Sequence, residues 1–215
     1  MAASHQRSEK WVRLQLDKAP LTNFRLYPQP VVGIADVTFW GREYGVLVIR
    51  SYDLKQNLIW LQVKLETAAV YQEAKGILEE LGFTFDAIVL DGKPGIKEVF
   101  KDIPIQHCQF HQIKTINKYL TRRPKLQAAI ELRTIALALT EVNEEYFTTL
   151  LNQWHEKWKE FLKERTTNPV TKKWFYTHKR IRSAHRSLNT NLPYLFTYQR
   201  YPELRIPNTT NSLDG

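Results

Sequence analysis

Apolar positions fall into strand-length runs in the first half of the chain and helical stripes in the second. Residues 1 to about 28 are polar, with no clear period, and read as a linker. Three apolar runs follow in quick succession, 31–40, 44–50 and 58–65, separated by the short polar turns 41–43 and 53–57. Their β-branched residues and short turns predict an antiparallel meander. Thr67 then reads as an N-cap, and Val70, Ala74, Ile77, Leu78 and Leu81 recur at helical spacing until Gly82 closes the helix. The run 85–90 comes directly after it, and a strand after a crossover helix pairs parallel with a right-handed connection. Pro94 opens a short helix to about Phe100, and 103–108 is a fifth strand, at an edge because of Pro104.

From about residue 112 the strand pattern stops for ninety residues. Leu126, Ala129, Ile130, Ile135 and Leu139 mark one helix. A second, capped by Asn143, carries the stripe Phe147, Leu150, Leu151, Trp154, Trp158, Phe161 and Leu162 until Asn168-Pro169 breaks it. A third spans about 170–188. The fold class is therefore α/β: a mixed five-stranded sheet followed by an all-helical block.

Two charges interrupt the strand runs. Asp36 lies inside 31–40, and Asp91 ends the run Phe85–Leu90. A carboxylate in a buried strand is costly unless paired. On neighbouring strands the two would reach the same strand ends, where at about 4 Å they repel by roughly 4 kcal/mol at an effective dielectric near 20. A divalent cation between them converts that repulsion into a site. The plainer alternative is that each aspartate caps a turn or helix.

Composition adds direction. The 215 residues, 43% hydrophobic, suit one domain or one domain with an insertion. No apolar run is long enough to span a membrane, and the N-terminus lacks the apolar stretch of a secretory signal. A single cysteine excludes a disulfide framework and a multi-cysteine zinc module, and fits a reducing cytoplasm. Lys plus Arg is 31 against 22 Asp plus Glu, a net charge of +9 that favours a polyanionic partner, most often nucleic acid.

Four stretches match a known pattern: the Asp36 strand, Val89-Leu90-Asp91-Gly92, Cys108-Gln109-Phe110-His111, and Ile206-Pro207-Asn208-Thr209-Thr210-Asn211-Ser212-Leu213-Asp214-Gly215. In this order they resemble the RNase H-like core of the DDE transposases, and most closely the Mutator-like transposases of bacterial insertion sequences. The resemblance covers about residues 31–215, and the stretch Trp174 to Leu188 looks like this family's insertion domain. It implies a linker at 1–30, a catalytic core at 31–118, a helical insertion at 119–205 and the start of a final core segment at 206–215.

The resemblance also implies a chemistry. Asp36, Asp91 and Asp214 would be the three catalytic, metal-binding acids, with Asp214 where the family normally has Glu. The metal would be Mg²⁺, with Mn²⁺ as substitute. The partners would be DNA, as transposon ends and target, and further copies of the chain. The setting would be the bacterial cytoplasm, at the nucleoid when bound. Asp is shorter than Glu by one methylene, about 1.5 Å of reach. Because the third acid of this fold sits on a helix and the sequence stops one residue past Asp214, the expectation is a partial chain with little strand transfer. The alternative is an inactive or domesticated fragment that binds DNA or partner subunits. A cellular RNase H-like nuclease is disfavoured by the long helical insertion before the last acid.

The remaining candidates have two readings each. Cys108 and His111 invite zinc, but only His107 stands near as a third ligand and a closed site wants four, so packing near the acids is preferred. The resemblance makes the pair a family signature. Lys172, Lys173, Lys179, Arg180, Arg182 and Arg186, expected on one helix, either track phosphate or form a solvated face. Trp174, Phe175 and Tyr176 either stack on an exposed base or, as preferred, pack in the insertion core. Trp154 and Trp158 belong to the core stripe.

Overall fold

The computed structural model describes residues 27–41 and 44–211. Strands β1 (Pro30–Trp40), β2 (Tyr44–Ser51) and β3 (Gln56–Val63) form the meander, and helix α1 (Ala68–Glu80) crosses to β4 (Thr84–Leu90). A short 3-10 turn, Ile96–Phe100, leads to β5 (Ile105–His107). The sheet order is β3-β2-β1-β4-β5, with β1 antiparallel to β2 and parallel to β4. The mixed five-stranded sheet thus forms as the alternation predicts. Gly82 adopts φ +90°, which ends α1 and lets Phe83 N–H donate to the Leu78 carbonyl.

Alternation along the strands sorts side chains to two faces. Val31, Ala35, Leu47, Ile49 and Leu58 pack against Tyr71, Ala74 and Leu78 of α1. On the other face Val32, Ile34, Ala87 and Val89 meet Ile206, with Tyr198 and Leu204 beside them. Asp36 and Asp91 follow Ile34 and Val89 on this second face.

Helix α2 (Gln109–Leu120) begins directly after β5. The apolar pattern does not predict it, because Gln109 and Gln112 occupy two of its four buried positions. Helices α3 (Gln127–Leu137), α4 (Glu144–Trp158) and α5 (Lys179–Leu195) follow, with a last turn α6 (Thr197–Arg200). They share a second core of Ile116, Leu132, Phe147, Leu151, Leu188 and Phe196. The Asn143 side chain accepts from Tyr146 N–H at 2.8 Å, so the expected cap of α4 is present. Trp154 is buried, and its indole N–H donates to the Ala128 carbonyl.

Three expectations fail in this half. The block is not all-helical: β6 (Arg165–Thr167) and β7 (Trp174–Tyr176) form an antiparallel hairpin. The basic helix starts at Lys179, not near 170, so Lys172 and Lys173 sit in the hairpin loop. Asn168 is the local cause. Its side chain accepts from the N–H groups of Val170 and Thr171, and Lys172 takes φ +55°, closing a turn where a helix would have to continue. Trp174 and Phe175 are 53% and 43% exposed, so they are not insertion core. No helix among the described residues is long and apolar enough to cross a membrane.

Candidate functional site

The β1–β4 ladder ends at the pair Ile34 and Val89; two residues further on come Asp36, still within β1, and Asp91, just past β4, whose charge bears on Asp36. Asp36 Oδ1 accepts from Val37 N–H at 2.8 Å. Asp91 Oδ1 accepts from Lys93 N–H at 2.9 Å, after which Gly92, at φ +85°, turns the chain away. The positive φ favours glycine there, and a Cβ at Gly92 would also crowd His107 Nδ1 at 3.2 Å.

Burial raises the Asp36 pKa above the ordinary carboxylate value; His111 and the Val37 N–H oppose it, while Asp91 and Glu66 add to it. Three carboxylates therefore share this end of the sheet. Sequence reasoning missed Glu66. Its signal was available: β3 runs in the same direction as β1, so the residues just after β3 arrive at the same sheet end as Asp36. The Glu66 side chain is 10% exposed and held at both oxygens, by Tyr71 Oη on Oε1 and Lys93 Nζ on Oε2, each at 2.9 Å.

The amino end of α2 completes the site. The neighbouring Cys108 sulfur raises His111 above its ordinary pKa, against its burial and with help from Asp36 and Asp91, and its buried Nδ1 has no hydrogen-bond partner among the described residues. Burial pushes the Cys108 thiol up, but bonds from His111 and Thr210 outweigh it and hold it below its ordinary value. Thr210 donates to Cys108 Sγ from its N–H at 3.3 Å and its hydroxyl at 3.5 Å. Gln109 N–H donates to the Asn208 carbonyl at 2.9 Å, and Asn208 Nδ2 returns a bond to Gln109 Oε1 at 3.0 Å. Cys108 and Gln109 thereby clasp 206–210 to the face that carries the two aspartates. Asp214 lies outside the described residues.

The zinc reading gains no third ligand. His107 is turned to Tyr194, with rings stacked at 4.7 Å, and among the described residues no group of three or more His, Cys, Asp or Glu is arranged to hold a metal ion. The basic residues divide. Lys172, Lys173, Lys179 and Arg186 are exposed. Arg182 is committed to structure, its guanidinium 3.6 Å from the Tyr176 ring and bonded to the Leu162 carbonyl. Arg180 reaches the Lys118 carbonyl at 2.8 Å. The expected six-cation track is therefore interrupted.

His107 makes the fold sensitive to acid. Burial first, then Lys97, pushes its pKa from 6.5 to about 4. Above the ordinary value both folded and unfolded states are neutral and stability is complete. As pH falls from about 6.5 towards 4 the unfolded state takes the proton first, so stability is lost. His111 shifts the other way, so the readout is a difference. The melting temperature of His107→Gln should fall less than that of the wild type between about pH 7 and pH 5. Parallel pH profiles for the two proteins would contradict this.

No protein-family model matches the chain, and no curated protein matches it. Among solved structures it is similar to a chain of the simian T-cell lymphotropic virus intasome in complex with the PP2A regulatory subunit B56 gamma. The identity is 13%, the coverage 79% of this chain and 52% of that one, and the TM-score 0.29. The chain thus spans about half of that neighbour's length. A likeness at that level carries no argument, and the site is read from its own residues.

Proposed function

We propose that this chain is the RNase H-like catalytic core of a DDE-type transposase of the Mutator-like kind, acting on DNA in the bacterial cytoplasm as a homo-oligomer. The observation that carries the reading is the placement of Asp36 and Asp91 two residues beyond the last pair of the parallel β1–β4 ladder, where each carboxylate follows a strand residue of one face. Asp36 is held where its charge is penalised by burial and by two further carboxylates. The pair Asp36 and Asp91 offers hard oxygen donors of the kind Mg²⁺ or Mn²⁺ takes, while Glu66 is engaged by Tyr71 and Lys93. Asp36 and Asp91 would hold the ions, with Asp214 as third acid on the strength of the sequence resemblance. Metal ions held there would supply activation of a water or a DNA 3′-hydroxyl and stabilisation of the leaving oxygen.

The protein's own residues shape that chemistry. Val37 N–H and Lys93 N–H each fix one carboxylate oxygen, leaving the other free to face a cation. The clasp from Cys108 and Gln109 holds Asn208 and Thr210 beside the strand that carries Asp91. The net charge of +9 supports DNA as the polyanionic partner.

The test is cleavage of supercoiled plasmid by the purified chain. Nicking should require Mg²⁺ or Mn²⁺ and stop in excess chelator. DNA binding with no metal-dependent nicking would replace this reading with that of a non-catalytic DNA-binding core.

A further inference from the structure

The hairpin β6–β7 exposes aromatic rings, as the sheet does at Trp40 and Trp60, but here the rings lie beside cations. Trp174 is 53% exposed, Phe175 43% and Val170, at the loop, 86%. Exposed ring faces gain free energy when a flat partner covers them. Cations are interleaved with the rings. Arg165 lies 4.0 Å from the Trp174 ring centroid and 5.6 Å from that of Tyr176, while Lys179 is 5.9 Å from Phe175. Lys172 and Lys173, both exposed, precede Trp174 in the loop. Glu164, just before β6, places its carboxylate 2.9 Å from His178 and makes no ion pair with Arg165.

We infer that this hairpin is a binding platform for unpaired DNA, with Trp174 and Phe175 stacking on bases and Arg165, Lys172 and Lys173 taking the adjoining phosphates. The combination selects the ligand. A nucleotide offers a π face and a negative charge side by side, matching alternating rings and cations. A duplex hides its base faces in the stack, so it can use the cations but not Trp174. Successive strand residues point to opposite faces, so Trp174 and Phe175 each present a ring on one side of the ribbon. Tyr176, flanked by Arg165 and Arg182, is the structural ring that holds the ladder together. The platform does not depend on the carboxylate pair, so it stands or falls separately from the proposed cleavage.

The experiment is anisotropy with the full chain, in chelator, on labelled oligo(dT) and on a blunt duplex of equal length at several salt concentrations. The wild type should prefer the single strand. Trp174→Ala should weaken oligo(dT) binding about tenfold, within the range of one lost stacked base, and change duplex binding less than about twofold. Phe175→Ala should behave likewise, and Trp174→Phe should restore most of the affinity. Changing Lys172 and Lys173 together to Gln should flatten the salt dependence on single strands by about 0.7 for each phosphate the two lysines neutralise. Equal affinity of the wild type for both DNAs would overturn the inference. So would equal losses on both DNAs in Trp174→Ala, or a change only in self-association. Thermal melting confirms that each variant is folded, which is expected for exposed positions.

Discussion

Asp36→Asn should abolish metal-dependent nicking and, in chelator, raise the melting temperature. The loss follows from the geometry: the amide keeps the acceptor for Val37 N–H but removes the charge that a cation needs. Displacing a catalytic group by about 1 Å already costs roughly a hundredfold in rate, and removing its charge should cost at least that. The gain in stability follows from the same environment. The folded protein holds the Asp36 carboxylate partly out of water and beside Asp91 and Glu66, so the neutral isostere relieves two penalties. An aspartate that served only as a turn cap would behave in the opposite way, losing stability on substitution. Nicking assays and thermal melts on one preparation separate the two. Unchanged nicking together with a lower melting temperature would make Asp36 a structural residue.

Gln106→Leu should destabilise the chain by about 2–5 kcal/mol, a large fraction of the stability of an ordinary domain. Gln106 is fully buried in the edge strand β5. Its Nε2 donates to the carbonyls of His107 at 2.7 Å and Leu195 at 2.9 Å, and its Oε1 accepts from Tyr198 N–H at 3.0 Å. One side chain thus ties the sheet to the junction of α5 and α6. Leucine fills the volume but leaves Tyr198 N–H without that partner, while the Leu195 carbonyl keeps Gln109 at 2.9 Å. A urea titration of Gln106→Leu against Gln62→Leu, an exposed position on β3, measures the difference. A cost below about 0.5 kcal/mol, the scale of ordinary surface substitutions, would show that the sheet and the helices are joined by apolar packing alone.

Local periodicity made the sheet legible. The strands β1, β2 and β4 lie within a residue or so of the apolar runs, because alternation and short turns are properties of consecutive residues. Glycine did the same for the end of α1, where φ +90° is required. Helix α2 was not legible, since its buried glutamines are polar by composition and become interior only through partners far along the chain. Gln109 meets Asn208 and Leu195, and Gln112 meets Ser187 and Asn191. The hairpin escaped for a related reason: aromatic residues beside a basic run look like core until it is known whether anything packs over them.

The order of apolar runs and the two acids that interrupt them were enough, on their own, to set a mixed sheet and to place Asp36 and Asp91 at matching strand ends. Which further groups join them was decided only in three dimensions. Lys93, His111 and the clasp between Cys108 and Thr210 come from segments up to about a hundred residues apart. Nothing in a one-dimensional period encodes such meetings. They depend on strand order, on which face each side chain takes, and on the buried hydrogen bonds that hold separate elements in place.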